Sequence, residues 1–318
     1  MLLNMLVLAA DNPVDHVANH PVPWMIVDGW WTWSGHTGNL LLSGLVLLIV
    51  GPLVAKSIGT KNSESGADKY VTKGRFAQMI EVICIYLRET TVRPLLGKRT
   101  DTFMPFLWTL FFFILVNNII GLIPLLDLQH ALSPTLKENQ AAYFGGTATQ
   151  SVYVTAVLAI ITFIVVNLAG IRELGLVGYL KHLTGGAPAF IWPIMIPVEI
   201  LGTFVKPFAL AIRLFANMTA GHVLLATLFM FAGMGVVNFA SGGLGLIIGG
   251  SITLISAVAA VAIYFLELFI AFLQAFVFMF LTAVFISQLA HHDHGHDSDH
   301  GHAHDGGHGH HGHEHAHA

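Results

Sequence analysis

Charge is what this sequence has least of. Lys, Arg, Asp and Glu make up 10% of the 318 residues and apolar types 55%, where a soluble domain carries roughly 25% charged residues. So few charges cannot cover a water-facing surface, which excludes an ordinary cytosolic enzyme, a nucleic-acid binder and a secreted disulfide scaffold. Cysteine is nearly absent as well. Cys84 stands alone, so there is no internal disulfide and no CxxC or Cys/His zinc spacing. A phosphate-cradling GxxxxGK[ST] loop is also missing, so the chain is not expected to bind ATP. The formal charge of −4 misleads, because five of the 18 acids lie in the last 28 residues, whereas residues 1–290 hold 14 basic and 13 acidic residues. What remains is an all-α integral membrane protein with a separate polar tail.

Crossing about 30 Å of hydrocarbon takes roughly 20 apolar residues in a helix. Three runs qualify as upright spans: Asn39 to Ala55, Thr102 to Leu126, and Ser151 to Ile171. Two longer stretches follow, 190–235 and 251–290. The opening MLLNMLVLAA is apolar but short and lacks a basic n-region, so a cleaved leader is not favoured. Basic residues give the orientation. Nine of the 14 Lys/Arg fall between Lys56 and Arg99, residues 1–38 have none, the 127–150 loop has only Lys137, and the 172–181 loop has two. This arrangement places an external N-terminal segment at 1–38, a membrane domain at 39–290 and a cytoplasmic tail at 291–318. In the basic loop, Phe76, Met79, Ile80, Ile83, Cys84 and Leu87 recur at helical spacing, which predicts an amphipathic helix on the cytoplasmic membrane surface.

The last two stretches are too long to stand upright. Residues 251–290 contain no Gly or Pro across 40 positions, on the order of 60 Å of helix at about 1.5 Å per residue. No turn residue interrupts them, and unpaired backbone in lipid is costly. The expectation is a hairpin of two strongly tilted helices over 190–290, joined by a Gly-rich turn at 235–250.

Ionisable residues inside lipid cost at least about 2.5 kcal/mol each and are functional candidates by default. The long segments hold four Asp, Glu, Lys or Arg: Glu199, Lys206, Arg213 and Glu267. The first three are spaced by seven and share one helix face with Asn217. Glu267, Gln274 and Gln288 form a second polar stripe, and two facing stripes suggest a hydrated path. His222 lies about half a turn from the Arg213 face, and its natural partner is Glu267, since an acid–imidazole pair lowers the cost of both groups. Bland readings compete: Lys206 can simply snorkel, Glu199 can neutralise Lys206, and a lone histidine is often just packed. Arg213 is harder to dismiss, because it cannot deprotonate and has no carboxylate within a turn of its own helix. Such a cation implies an anion supplied by another subunit.

The run KPFALAIRLFANMTAGH (206–222), followed by a final helix carrying E-x6-Q and AFVFMFLTAVFIS, resembles subunit a of the F-type ATP synthases. The similarity extends over the amphipathic helix, the NNIIGLIPLLD end of the second span and 190–290, most of residues 35–290. It implies that Arg213 is the stator arginine facing a rotating c-ring, and that Glu199, Lys206, Asn217, His222, Glu267 and Gln274 line the proton path. It also implies two half-channels that load and unload the c-ring carboxylates with H+ (Na+ being the alternative ion), no cofactor, and a non-catalytic role in the complex. Implied partners are the c-ring, subunit b with the peripheral stalk, other ATP synthase subunits and membrane lipid, with no nucleic acid. The implied location is the bacterial cytoplasmic (inner) membrane. Many bacterial relatives carry an acid after the AG and a histidine seven residues before the Gln, so His222 and Glu267 are exchanged here, as in the mitochondrial-type arrangement. The run 146–153 departs from the acidic and amide residues often found there.

Residues 291–318 hold 13 of the 19 histidines. This tail reads as a disordered extension, with His291, His292, His294 and His296 as candidates for weak binding of zinc, nickel or copper. It raises a rival function, a divalent-metal transporter, but the spans offer no second ligand a turn from His222 or Glu267, where Ala226 and Ala271 stand instead.

Overall fold

A computed structural model describes residues 35–58, 74–133, 141–183, 189–240 and 242–290, together with isolated positions between 19 and 34 and between 135 and 139. The opening apolar decapeptide and the His-rich tail, with His291, His292, His294 and His296, lie outside the described residues. Among the described residues five helices are long and apolar enough to cross a membrane: Gly35–Ser57, Arg75–Leu122, Val152–Gly175, Trp192–Ala240 and Leu244–Gln288. The chain is thus an all-α integral membrane protein. Among the described residues there is one sheet, a minimal hairpin in which β1 (Ile26–Val27) pairs antiparallel with β2 (Trp30–Trp31).

Helix α1 (Gly35–Ile58) is followed by the amphipathic α2 (Arg75–Ile85), which runs on through a π-helical stretch, Tyr86–Val92, and a turn, Arg93–Leu96. Gly97, at φ 53°, redirects the chain into α3 (Thr100–Leu122). The span expected to reach Leu126 ends four residues earlier. Ile123 precedes Pro124 and is extended (φ −76°, ψ 126°), the conformation toward which a proline ring pushes the residue before it. A short α4 (Leu125–Leu132) follows.

Helix α5 (Val152–Leu183) carries on through the expected 172–181 loop, broken only at Gly175 (φ 69°, ψ 167°). That single glycine absorbs the change of direction, so Arg172 and Glu173 stay helical and Glu173 pairs with Arg99. Past the break, burial and then the charge of Glu199 push the Tyr179 phenol above its ordinary value.

Helices α6 (Trp192–Ala240, 49 residues) and α7 (Leu244–Ala290, 47 residues) form the long hairpin. Each is about 70 Å long at 1.5 Å per residue, more than twice the hydrocarbon thickness of about 30 Å. Pro197 and Pro207 lie inside α6 without ending it. The expected Gly-rich turn at 235–250 is mostly helix instead, and among the described residues the chain turns at Gly242 and Gly243, with φ of 75° and 59°. The other glycines serve packing. A Cβ on Gly249 would stand 2.4 Å from Phe239 N and 2.5 Å from Gly235 O, and one on Gly235 would stand 2.3 Å from Thr253 Oγ1. Their missing side chains let the two backbones touch.

Phe111 and Ile114 of α3, Leu214 and Met218 of α6 and Phe278 and Met279 of α7 form the centre of the buried core. The outer faces of α1 and α7 expose apolar residues such as Leu48, Leu53, Phe265 and Phe269, as a lipid-facing surface requires. At one end of the bundle Ser287 Oγ donates to Leu95 O at 2.8 Å, joining α7 to the turn that follows α2.

Candidate functional site: a buried polar chain ending at an unpaired arginine

Polar residues converge where α3, α6 and α7 meet the segment 141–151. That segment is drawn into the bundle by specific contacts. Gln129 accepts from the backbone N–H groups of Tyr143 and Phe144 at 3.0 and 3.3 Å, and Trp33 Nε1 donates to Tyr143 O at 3.1 Å. A Cβ on Gly38 would overlap Tyr143 O at 1.9 Å, so the α1 glycine permits the approach. Gly146, at φ 65°, then turns the chain, its carbonyl accepting from Asn39. A capping box at Thr147 and Gln150 closes a short 3₁₀ turn, Ala148–Gln150. Thr147 and Thr149 are completely buried.

From this turn, hydrogen bonds reach α3 and α6 directly and α7 through Asn118. Thr149 Oγ1 donates to Asn118 Oδ1 at 2.8 Å, and Asn118 Nδ2 donates to Ala271 O on α7 at 3.3 Å. Gln150 Nε2 donates to Met218 O at 3.4 Å. Thr147 Oγ1 lies 3.1 Å from His222 Nε2, which is also 3.2 Å from Gly121 O.

The other ring nitrogen, His222 Nδ1, lies 3.0 Å from Met218 O and 2.5 Å from Glu267 Oε1. Glu267 is 3% exposed. Among the described residues neither of its carboxylate oxygens receives an aligned hydrogen bond, and the closest group to it is the His222 ring. Gly221 makes room for it, since a Cβ there would stand 2.8 Å from Glu267 Oε1. About two turns along α7, Gln274 accepts from Asn217 Nδ2 at 3.2 Å. Gln274 is 1% exposed and its own Nε2 has no hydrogen-bond partner among the described residues. Buried polar atoms normally find a partner, so these orphaned atoms mark a polar interior where water or a passing ion has groups to meet.

Lys206 lies farther along α6. It donates to Gln288 Oε1 at 3.1 Å and stands 5.6 Å over the Phe285 ring, so its partner is the amide of α7 and not Glu199. Glu199 is half-buried, with its backbone carbonyl accepting from Thr203 Oγ1 at 2.9 Å. Between Lys206 and Asn217 sits Arg213, on the exposed face of α6. Among the described residues none forms a hydrogen bond or ion pair with it.

The two polar stripes therefore touch at Asn217–Gln274 and Lys206–Gln288, and His222 meets Glu267 on the other side of α6. Sequence reasoning did not single out Thr147, Thr149, Gln150 or Asn118. Two adjacent amides, Asn117 and Asn118, inside the apolar run of α3 were the available signal, because a buried amide must be satisfied from somewhere.

Long apolar helices enclosing a chain of buried polar groups, with an unpartnered guanidinium at one end, define a multi-pass membrane protein that handles charge within the bilayer. The comparisons narrow this class. Residues 40–287 match the ATP synthase A chain family, and the chain belongs to it. It is 41% identical over 235 residues to ATP synthase subunit a of Myxococcus xanthus, covering 72% of this chain and 67% of that protein. To the protein of the same name from Chloroherpeton thalassium it is 39% identical over 267 residues, covering 83% and 68%. To that of Anaeromyxobacter dehalogenans it is 44% identical over 225 residues, covering 68% of this chain and 50% of the relative.

Proposed function

We propose that this chain is the ion-translocating stator subunit of the membrane sector of an ATP synthase. Family membership supports the reading, and the single structural observation that carries it is Arg213. An obligate cation with no mate among the described residues requires an anion brought by a partner. In this reading the partner is a ring of c subunits, whose carboxylates must be neutral to turn through lipid and ionised to exchange their ion. Arg213 stabilises the ionised form as each carboxylate passes and blocks a direct leak between two offset half-channels.

A proton from outside travels along Thr147, His222 and Glu267, then past Gln274 and Asn217, to the ring. After riding round, it leaves to the cytoplasm on the other side of Arg213, near Glu199 and Lys206. Each unit charge crossing 100 mV supplies about 2.3 kcal/mol. The ion is taken to be H+, with Na+ distinguished by whether coupling depends on sodium.

Further parts of the reading are subunit b and the peripheral stalk as neighbours, the bacterial cytoplasmic membrane as location, the N-terminus outside and the C-terminus inside. The distribution of Lys and Arg supports that orientation, and the lengths of α6 and α7 support a strongly tilted hairpin. Among the described residues no three His, Cys, Asp or Glu come together as a metal site, so a divalent-metal transporter has no support.

The test is Arg213→Ala in the intact complex reconstituted into vesicles. Proton-driven ATP synthesis is expected to be abolished with the complex still assembled, and coupled synthesis at the unaltered rate would overturn the reading.

A further inference from the structure

The four atoms around the His222 ring differ in what they can do. Nδ1 faces Met218 O and Glu267 Oε1, and Nε2 faces Gly121 O and Thr147 Oγ1. The two carbonyls and the ionised carboxylate can only accept hydrogen bonds, whereas a hydroxyl can accept or donate. A doubly protonated ring is therefore satisfied on both sides by acceptors. A neutral ring beside ionised Glu267 keeps its hydrogen on Nδ1, where both neighbours accept. Its Nε2 is then a lone pair in a buried site, and the donor the structure puts within reach is the Thr147 hydroxyl. That hydroxyl has its hydrogen free for the purpose, because in the capping box Thr147 Oγ1 accepts from the Gln150 backbone N–H. Glu267, from α7, is the ionisable group set against the ring; α3 and the 147–150 turn present a carbonyl and a hydroxyl that do not titrate.

We propose that Thr147 is the positioning residue that lets His222 change protonation state, by accepting from Nε2–H when the ring is charged and donating to Nε2 when it is neutral. When the ring gains a proton at Nε2 from the water of the outer path, the hydroxyl rotates from donor to acceptor. The O–H bond of the water that delivers the proton breaks as the N–H bond forms, and when the proton returns to water both changes and the rotation reverse. Without the hydroxyl, the charged ring keeps Gly121 O as partner while the neutral ring leaves a buried nitrogen unsatisfied. The penalty falls on one state only, so exchange at His222 slows. The inference rests on the reading of His222 as a member of the proton path.

The experiment compares Thr147→Ser, Thr147→Val and His222→Ala in the intact complex in vesicles, with proton-driven ATP synthesis normalised to assembled complex. Thr147→Ser keeps the hydroxyl and is expected to stay within about twofold of the unaltered rate. Thr147→Val keeps the shape and loses the donor, and is expected to fall at least tenfold. An unaltered rate in assembled Thr147→Val, with His222→Ala damaged, overturns the role of Thr147 alone. An unaltered rate in His222→Ala overturns the path reading beneath it. Should Thr147→Val not assemble, 15N-histidine spectra of the unaltered complex at alkaline pH decide, with His222 assigned by difference against His222→Ala. A neutral ring protonated on Nδ1 is expected, and one protonated on Nε2 overturns the proposal.

Discussion

Gly121 sits on α3 directly beneath Thr147, and the contact is tight enough to work out what a methyl group would do. A Cβ at Gly121 would stand 1.9 Å from Thr147 Oγ1, 2.5 Å from its Cβ and 2.7 Å from its Cα. The last of these belongs to the backbone, so rotating the threonine side chain relieves only part of the overlap. Ordinary contact begins near 3.4 Å, so the 147–150 turn has to retreat by about 1 Å, and the hydroxyl by more. A retreat of that size directed away from His222 takes the 3.1 Å separation of Thr147 Oγ1 from His222 Nε2 beyond about 4 Å, outside hydrogen-bonding range. Overpacking a buried contact of this kind costs about 1–3 kcal/mol. Gly121→Ala is thus expected to lower proton-driven ATP synthesis by roughly tenfold or more, with an apparent melting temperature reduced by a few degrees. Synthesis in reconstituted vesicles, normalised to assembled complex, is the assay. An unaltered rate would show that the register of Thr147 against His222 does not matter to ion transfer.

Two further outcomes are expected. Gly249→Ala places a Cβ against Phe239 N and Gly235 O, both backbone atoms, so α6 and α7 have to separate; the expected loss is at the upper end of about 1–3 kcal/mol, read as a lower melting temperature of the detergent-solubilised complex. Exchanging His222 and Glu267 in a double-mutant cycle is expected to give non-additive effects on ATP synthesis, because a 2.5 Å pair acts as a unit; additive losses would mean that the two side chains work separately.

The long helices were legible because nothing in their sequences offers a turn, and an uninterrupted apolar run has no other low-energy state in lipid. The polar stripes were legible for a related reason: seven-residue spacing keeps a side chain on one helix face whatever the neighbours do. What escaped was the work of the glycines. Gly235 and Gly249 read as a turn, since the same lack of a Cβ that frees φ also lets helices touch. Only the folded chain separates Gly242 and Gly243, which use positive φ, from Gly249, which uses the space. Gly175 misled in the opposite direction, bending a helix where a loop was expected. The segment 141–151 carries no periodicity at all, so its passage into the bundle, and with it the placement of Thr147 and Gln150, depended on contacts with α1, α3 and α6 from far along the chain.

The bond from Ser287 to Leu95 has a mechanical corollary. In the proposed reading, a rotor passing Arg213 on α6 loads the hairpin sideways at every step, and a lone α7 about 70 Å long behind it would bow under such a push. A brace near its end, anchored in a different part of the subunit, shortens the free length and spreads the thrust over the frame. Rigidity at that corner would keep the guanidinium of Arg213 aligned with each arriving charge under load.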